Sequence, residues 1–182
     1  MLNSVVALFN AGAAAGGGAA YESIATVSVG SGGSSSVSFT SIPGIYAHLQ
    51  IRALIKQSNG DGAYARLNSD SGNNYTRHRL QGNGSTASAF GETGQNRLNI
   101  NTNVGYSDFG VLITDILDYA NTNKYKTVRH FTGIDKNGSG AVLLESGLWM
   151  DTSAVTSITF INPNTGNYSQ YSHFALYGIK GA

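Results

Sequence analysis

The stretch Asp135-Lys136-Asn137-Gly138-Ser139-Gly140 sets oxygen-bearing side chains at its first, third and fifth positions and glycine at its sixth. That is the opening half of a calcium-binding loop. Such a loop closes on a bidentate glutamate at position twelve, where this chain has Ser146, with Glu145 one residue early. An Asn-Gly pair between two extended segments accounts for the same letters as a hairpin turn, and the turn is the reading taken. His48, His78, His130 and His173 show neither HxH nor HExxH spacing, so no metal site is assigned. No G-x-S-x-G elbow surrounds a serine. Asp115 and Asp118 stand three apart, on opposite faces of an extended segment, and are poorly placed for paired-carboxylate chemistry. The glycine runs near 16–18 and 30–33 lack the Lys-Ser/Thr or the helix of a phosphate cradle. No catalytic residue and no cofactor are assigned, and the chain is read as a non-enzyme.

Binding is the remaining class, and composition narrows it. With a formal net charge of +1, 12% charged residues and no cysteine in 182 residues, the chain has no basic field for nucleic acid, no disulfides and no thiolate metal site. Arg77-His78-Arg79 is the one dense basic spot and reads as a solvated strand face. Low charge suits a protein packed against neighbours, because charge is depleted from interface cores.

The elements that would present such a surface are strands. Ile45 to Gln57 alternates cleanly, with Ala47, Leu49, Ile51, Ala53 and Ile55 on one side and His48, Gln50, Arg52 and Lys56 on the other. Phe109 to Asp135 reads as a hairpin around the polar turn Asn121-Thr122-Asn123. Its first segment is apolar on both faces, Phe109, Val111 and Ile113 against Leu112 and Ile116. That pattern belongs in mid-sheet or under a subunit contact, and Phe109, Val111, Ile113 and Leu117 are the expected oligomer-contact residues. Residues 81–95 read as a long exposed loop with Phe90 tucked in. Many short strands with no sustained helical period predict an all-β fold: a two-sheet antiparallel sandwich, a jelly roll, over residues 21–182.

Residues 1–20 differ from the rest. Leu2, Val5, Val6, Leu8 and Phe9 precede an almost pure Ala/Gly run. The apolar part falls far short of the ~20 residues that span a bilayer. No Lys or Arg precedes it, as a secretory signal would require. It reads as a flexible arm whose apolar tip docks on a partner, and no membrane association is expected. Ten tyrosines complete the inventory; Tyr75, Tyr106, Tyr125 and Tyr168 in or near loops are candidates for contact with protein or with sugar rings.

YESIATVSVGSGG at 21–33, SVSFTSIPGIYAHLQIRALI at 36–55, ILDYANTNKYKTVR at 116–129, SGLWMDTSAVTSITF at 146–160 and SHFALYGIKG at 172–181 resemble small β-sandwich virion structural proteins of tailed bacteriophages. The resemblance implies a structural protein of the particle, assembled in the host cytoplasm and expected to be a homotrimer. Its first form is a capsid decoration (cement) protein, binding the major capsid protein through the arm. Its second is a tail fibre, spike or baseplate component that meets other tail proteins or binds a host surface glycan. A free-standing carbohydrate-binding module is the reading outside phages.

Overall fold

The computed structural model describes residues 20–59, 62–100 and 108–181, and they form an all-β sandwich of two antiparallel sheets. The strands are β1 (Tyr21–Ser28), β2 (Ser36–Phe39), β3 (His48–Ile55), β4 (Tyr64–Leu67), β5 (Tyr75–Gly82) and β6 (Ala87–Gln95). They continue with β7 (Leu98–Asn99), β8 (Gly110–Leu117), β9 (Lys126–Asp135), β10 (Gly140–Trp149), β11 (Ile158–Ile161) and β12 (His173–Ile179). The larger sheet runs β1-β12-β3-β8-β9-β10-β5-β6 and the smaller β2-β11-β4-β7.

This order has a simple internal logic. Without the hairpin β5–β6 and the pair β9–β10, eight strands remain, in two sheets of four: β1-β12-β3-β8 and β2-β11-β4-β7. First pairs with last, second with next-to-last, and so inward. The other four strands all lie beyond β8 and extend one sheet sideways, as β9-β10-β5-β6.

The core lies between the two four-stranded layers and runs on to Tyr75 of β5, Val128 of β9 and Trp149 of β10. Leu49, Ile51 and Ile55 of β3, Leu112 and Ile116 of β8, and Phe174 and Leu176 of β12 are buried against Val37, Phe39, Leu67, Ile158 and Phe160 of the smaller sheet. Phe160 and Phe174 meet across the layers with ring centroids 5.2 Å apart, and Tyr168 packs edge-on to Phe174 at 5.1 Å. These are the separations aromatic pairs favour. The alternation read in residues 45–57 is borne out: Leu49, Ile51, Ala53 and Ile55 face in, and Arg52 faces out.

Two turns follow from their residue types. At the β9–β10 turn, Asn137 and Gly138 both take positive φ, 53° and 109°, and the Lys136 N–H donates to Ser139 O at 2.8 Å. Asn-Gly tolerates that left-handed pair and matches the twist of the strands, so the calcium-like letters make a hairpin turn. The stretch 81–95 corrects the sequence reading: only Asn83–Thr86 turns, held by the Asn83 carboxamide accepting from Ser85 N and Thr86 N, and Ala87–Gln95 is strand β6. Its side chains are small and mostly exposed, so it carries no alternation to read; the ladder to β5 holds it in place. A bulge at Gly94, φ 63°, shifts the register between Arg77–Glu92 and Tyr75–Gln95.

Candidate docking surface

The sideways extension gives the larger sheet an outer face that the smaller sheet does not touch. Cross-strand registers place its side chains in rows. One row runs Arg52, Ile113, Phe131, Leu144, Leu80, and the next runs Leu54, Val111, Gly133, Val142, Gly82. Apart from Arg52 at one end, both rows are apolar. Leu54, Val111, Phe131, Val142, Leu144 and Leu80 are each between 43% and 56% exposed. Large apolar side chains scattered singly over a surface need no explanation, but a contiguous set across five strands does.

The neighbouring row on the same face is polar: Gln50, Asp115, Arg129, Ser146, His78. Its members satisfy one another. Gln50 Nε2 donates to Asp115 Oδ1 at 2.8 Å, Arg129 approaches Asp115 Oδ2 at 3.3 Å, and Arg52 Nε donates to Gln50 Oε1 at 2.8 Å. The outer face thus divides into an apolar half toward the β9–β10 turn and a hydrogen-bonded polar half. A shallow depression of about 790 Å³ opens in the apolar half, with Phe109, Val111, Phe131 and Val142 around Gly133 and Gly82. The glycines make it: each leaves a gap in its row where a side chain would stand.

The inner face of the extension is polar where it leaves the sandwich. His130 is buried, with Nδ1 2.8 Å from Thr114 Oγ1, and its register partner Glu145 is buried beside it. Burial lowers His130 to about 4. Burial likewise raises Glu145 to about 7, although the Arg77 guanidinium lies 3.4 Å away and favours the carboxylate. Arg77 also grips Glu92 at 2.8 Å, and Phe90 lies under Arg79 at 4.0 Å and Arg77 at 5.0 Å. Among the described residues, no three His, Asp or Glu side chains are grouped to hold a metal ion.

The sequence-predicted contacts fall out unevenly. Phe109, Val111 and Ile113 do line up on the outer face, with Leu112 and Ile116 in the core. Leu117 shares that face but sits on the far side of Asp115, outside the apolar half. Tyr75 and Tyr168 are 0% exposed, which removes both as contacts for a glycan or partner. The Tyr75 hydroxyl is drawn inward by Leu67 N and by Asp70 O, and Tyr168 is stitched to Ser34 through paired backbone hydrogen bonds. Tyr125 is half-exposed. Tyr106 and the arm residues Leu2, Val5, Val6, Leu8 and Phe9 lie outside the described residues. Phe131, Val142, Leu144 and Leu80 were not among the predicted contacts. The signal for two of them was present: Val142-Leu143-Leu144 is apolar at consecutive positions, as is Val111-Leu112-Ile113.

No protein-family model, curated protein or solved structure matches the chain.

Proposed function

We propose that this chain is a structural, non-catalytic protein of a tailed-bacteriophage virion, and specifically a capsid decoration protein that lies against the major capsid protein and against copies of itself, as a trimer. The observation that carries this reading is the apolar half of the outer sheet face, contiguous across β3, β8, β9, β10 and β5. The sequence resemblance to small virion sandwich proteins supplies the setting.

Magnitudes say how such a surface works. Fully burying a large apolar side chain is worth ~1.5–3 kcal/mol, so a half-exposed one gains about half of that. Leu54, Leu80, Val111, Phe131, Val142 and Leu144 together therefore supply roughly 5–9 kcal/mol, comparable with the ~4–15 kcal/mol lost on association. A single face is marginal by itself. Repeated contacts on a shell, with a further apolar contact from the arm residues Leu2, Val5, Val6, Leu8 and Phe9, make the attachment durable through effective concentration. The glycan-binding alternative loses ground with Tyr75 and Tyr168 in the core.

Mass spectrometry of heads and tails separated from purified virions of the phage encoding the chain is the test. Recovery with heads, at a fixed ratio to the major capsid protein, is expected. Recovery with tails would move the protein to the tail, and absence from both would end the virion reading.

A further inference from the structure

We propose that the shallow depression around Gly133 receives the apolar tip of the N-terminal arm, Leu2 to Phe9, from a second copy of this chain. This deepens the assembly reading above and rests on it.

The shape of the depression fits such an occupant. Its central row reads Val111, Gly133, Val142, Gly82, large alternating with small, so the two glycines leave gaps beside aliphatic side chains. Phe109 and Phe131 stand at the side, and among the described residues Asp135, at the β9–β10 turn, is the one charged residue of the lining. An apolar, uncharged occupant suits such a lining. Residues 1–21 contain no charged side chain, and their large apolar residues are confined to positions 1–9 and Tyr21. Leu2, Val5, Val6 and Phe9 recur at i, i+3, i+4 and i+7, the spacing with which a segment offers one apolar face to a groove.

Reach decides whose groove is filled. Lys180 N donates to Ala20 O at 3.0 Å, which fixes the base of the arm at the β1 edge, level with Tyr21, Ile179, His48 and Leu117. The groove row is level with Ser28, His173, Leu54 and Val111 and centres four strands away on β9. At ~3.3 Å per residue and ~4.8 Å per strand, the separation is roughly 30 Å. A relaxed Gly/Ala linker between Phe9 and Ala20 spans about 18 Å, and even a taut one reaches only about 36 Å. Filling its own groove would hold the arm nearly straight; a neighbouring copy's groove carries no such constraint.

The test uses the full chain. Sedimentation velocity at micromolar concentration is expected to show wild-type self-association, with Phe9→Asp and Val142→Glu each folded by circular dichroism and monomeric. An equimolar mixture of the two variants is expected to form a heterodimer, because one intact arm then meets one intact groove. Should Val142→Glu fail to fold, Val111→Glu takes its place. Independently of any groove variant, a photo-crosslinker at position 9 in mixed light and heavy isotope chains is expected to give heavy–light products that map to β8–β10. A monomeric wild type, Phe9→Asp that associates normally (two faces stacking without the arm), a mixture that stays monomeric, or crosslinks within one isotope only would each overturn the proposal. Absence of the chain from virions would remove the virion setting while leaving an arm–groove result intact, so the two failures are distinguishable.

Discussion

Phe131 and Leu144 stand opposite each other across the β9–β10 ladder, both about half exposed, at the centre of the apolar half of the outer face. Neither supports the core; His130, Thr132 and Leu143 beside them point the other way and are buried. Replacing Phe131 or Leu144 by Glu is therefore expected to change stability by less than about 1 kcal/mol, a shift of a few degrees in Tm. The same variants are expected to abolish self-association and particle binding, because each puts an uncompensated charge into a surface that must dehydrate. Thermal denaturation beside sedimentation checks both halves. A variant that is strongly destabilised and still associates would show that this face is structural and not a contact.

His130 and Glu145 form a second facing pair, on the inner side of the same ladder, with Arg77, Arg79, Glu92 and Asp115 as the charged groups acting on one or both. The folded state holds His130 down at about 4 and Glu145 up at about 7. Between the ordinary glutamate and histidine values, the unfolded chain carries a charged His and a charged Glu, while the folded chain carries both neutral. The two states then bind the same number of protons, and this pair leaves stability flat across that window. Glu145→Gln isolates His130, and stability is expected to fall as pH drops from about 6.5 to about 4. His130→Gln isolates Glu145, and stability is expected to fall as pH rises from about 4.5 to about 7. Each slope should approach roughly 1 kcal/mol per pH unit. Urea titrations across pH 4–8 check the signs; parallel profiles in the two variants would contradict the assignment.

Asp70 ties the β4–β5 connection to the end of β10. Its carboxylate accepts from the Trp149 indole at 2.7 Å, Asn74 Nδ2 at 2.9 Å and Gly72 N at 2.8 Å. Burial by itself would raise its pKa, but these hydrogen bonds and the nearby Arg66 outweigh burial, and the net shift is downward. Its stabilisation is thus present above the usual aspartate value and disappears as pH falls through the lowered folded one. Asp70→Ala leaves the buried Trp149 N–H without its acceptor and is expected to cost about 1–3 kcal/mol. Trp149→Phe, which removes donor and need together, should cost less from this source, and urea unfolding of both variants followed by circular dichroism would show the gap.

The sandwich was legible in the sequence because alternation encodes one buried and one wet face, as in β3, and because Asn137-Gly138 names its own turn. Strand β6 was not, since Ala87, Ser88 and Ala89 face water on both sides and only pairing to β5 makes them a strand. The outer face was half legible. A strand apolar on both sides, such as Val111 to Ile113, announces a second contact, but Phe131 and Leu80 sit alone among polar neighbours in their own strands. They become part of a surface only when the register sets them beside Ile113 and Leu144. Tyr75 and Tyr168 misled for a related reason: a tyrosine near a turn reads as exposed until its hydroxyl finds backbone partners or its ring a packed neighbour inside.

Gly178 and Tyr46 give the sharpest packing prediction. A Cβ on Gly178 would fall 2.3 Å from Tyr46 Cγ and within 2.5 Å of both Cδ atoms, so the ring lies flat on the glycine backbone. There the Tyr46 hydroxyl donates to Glu22 Oε2 at 3.0 Å, and Glu22 in turn pairs with Lys180. Gly178→Ala must drive the ring off β12, an overpacking cost of about 1–3 kcal/mol that also breaks the Tyr46–Glu22 bond. Burial first, and then the hydrogen bond to Glu22, hold the Tyr46 phenol above its ordinary value. Displacement should bring it back down, visible in the ultraviolet titration of tyrosinate. Truncating the ring removes the clash, so Tyr46→Ala and Gly178→Ala together should cost markedly less than the sum of the two alone. Additive losses in that cycle would mean that the alanine is accommodated without moving Tyr46.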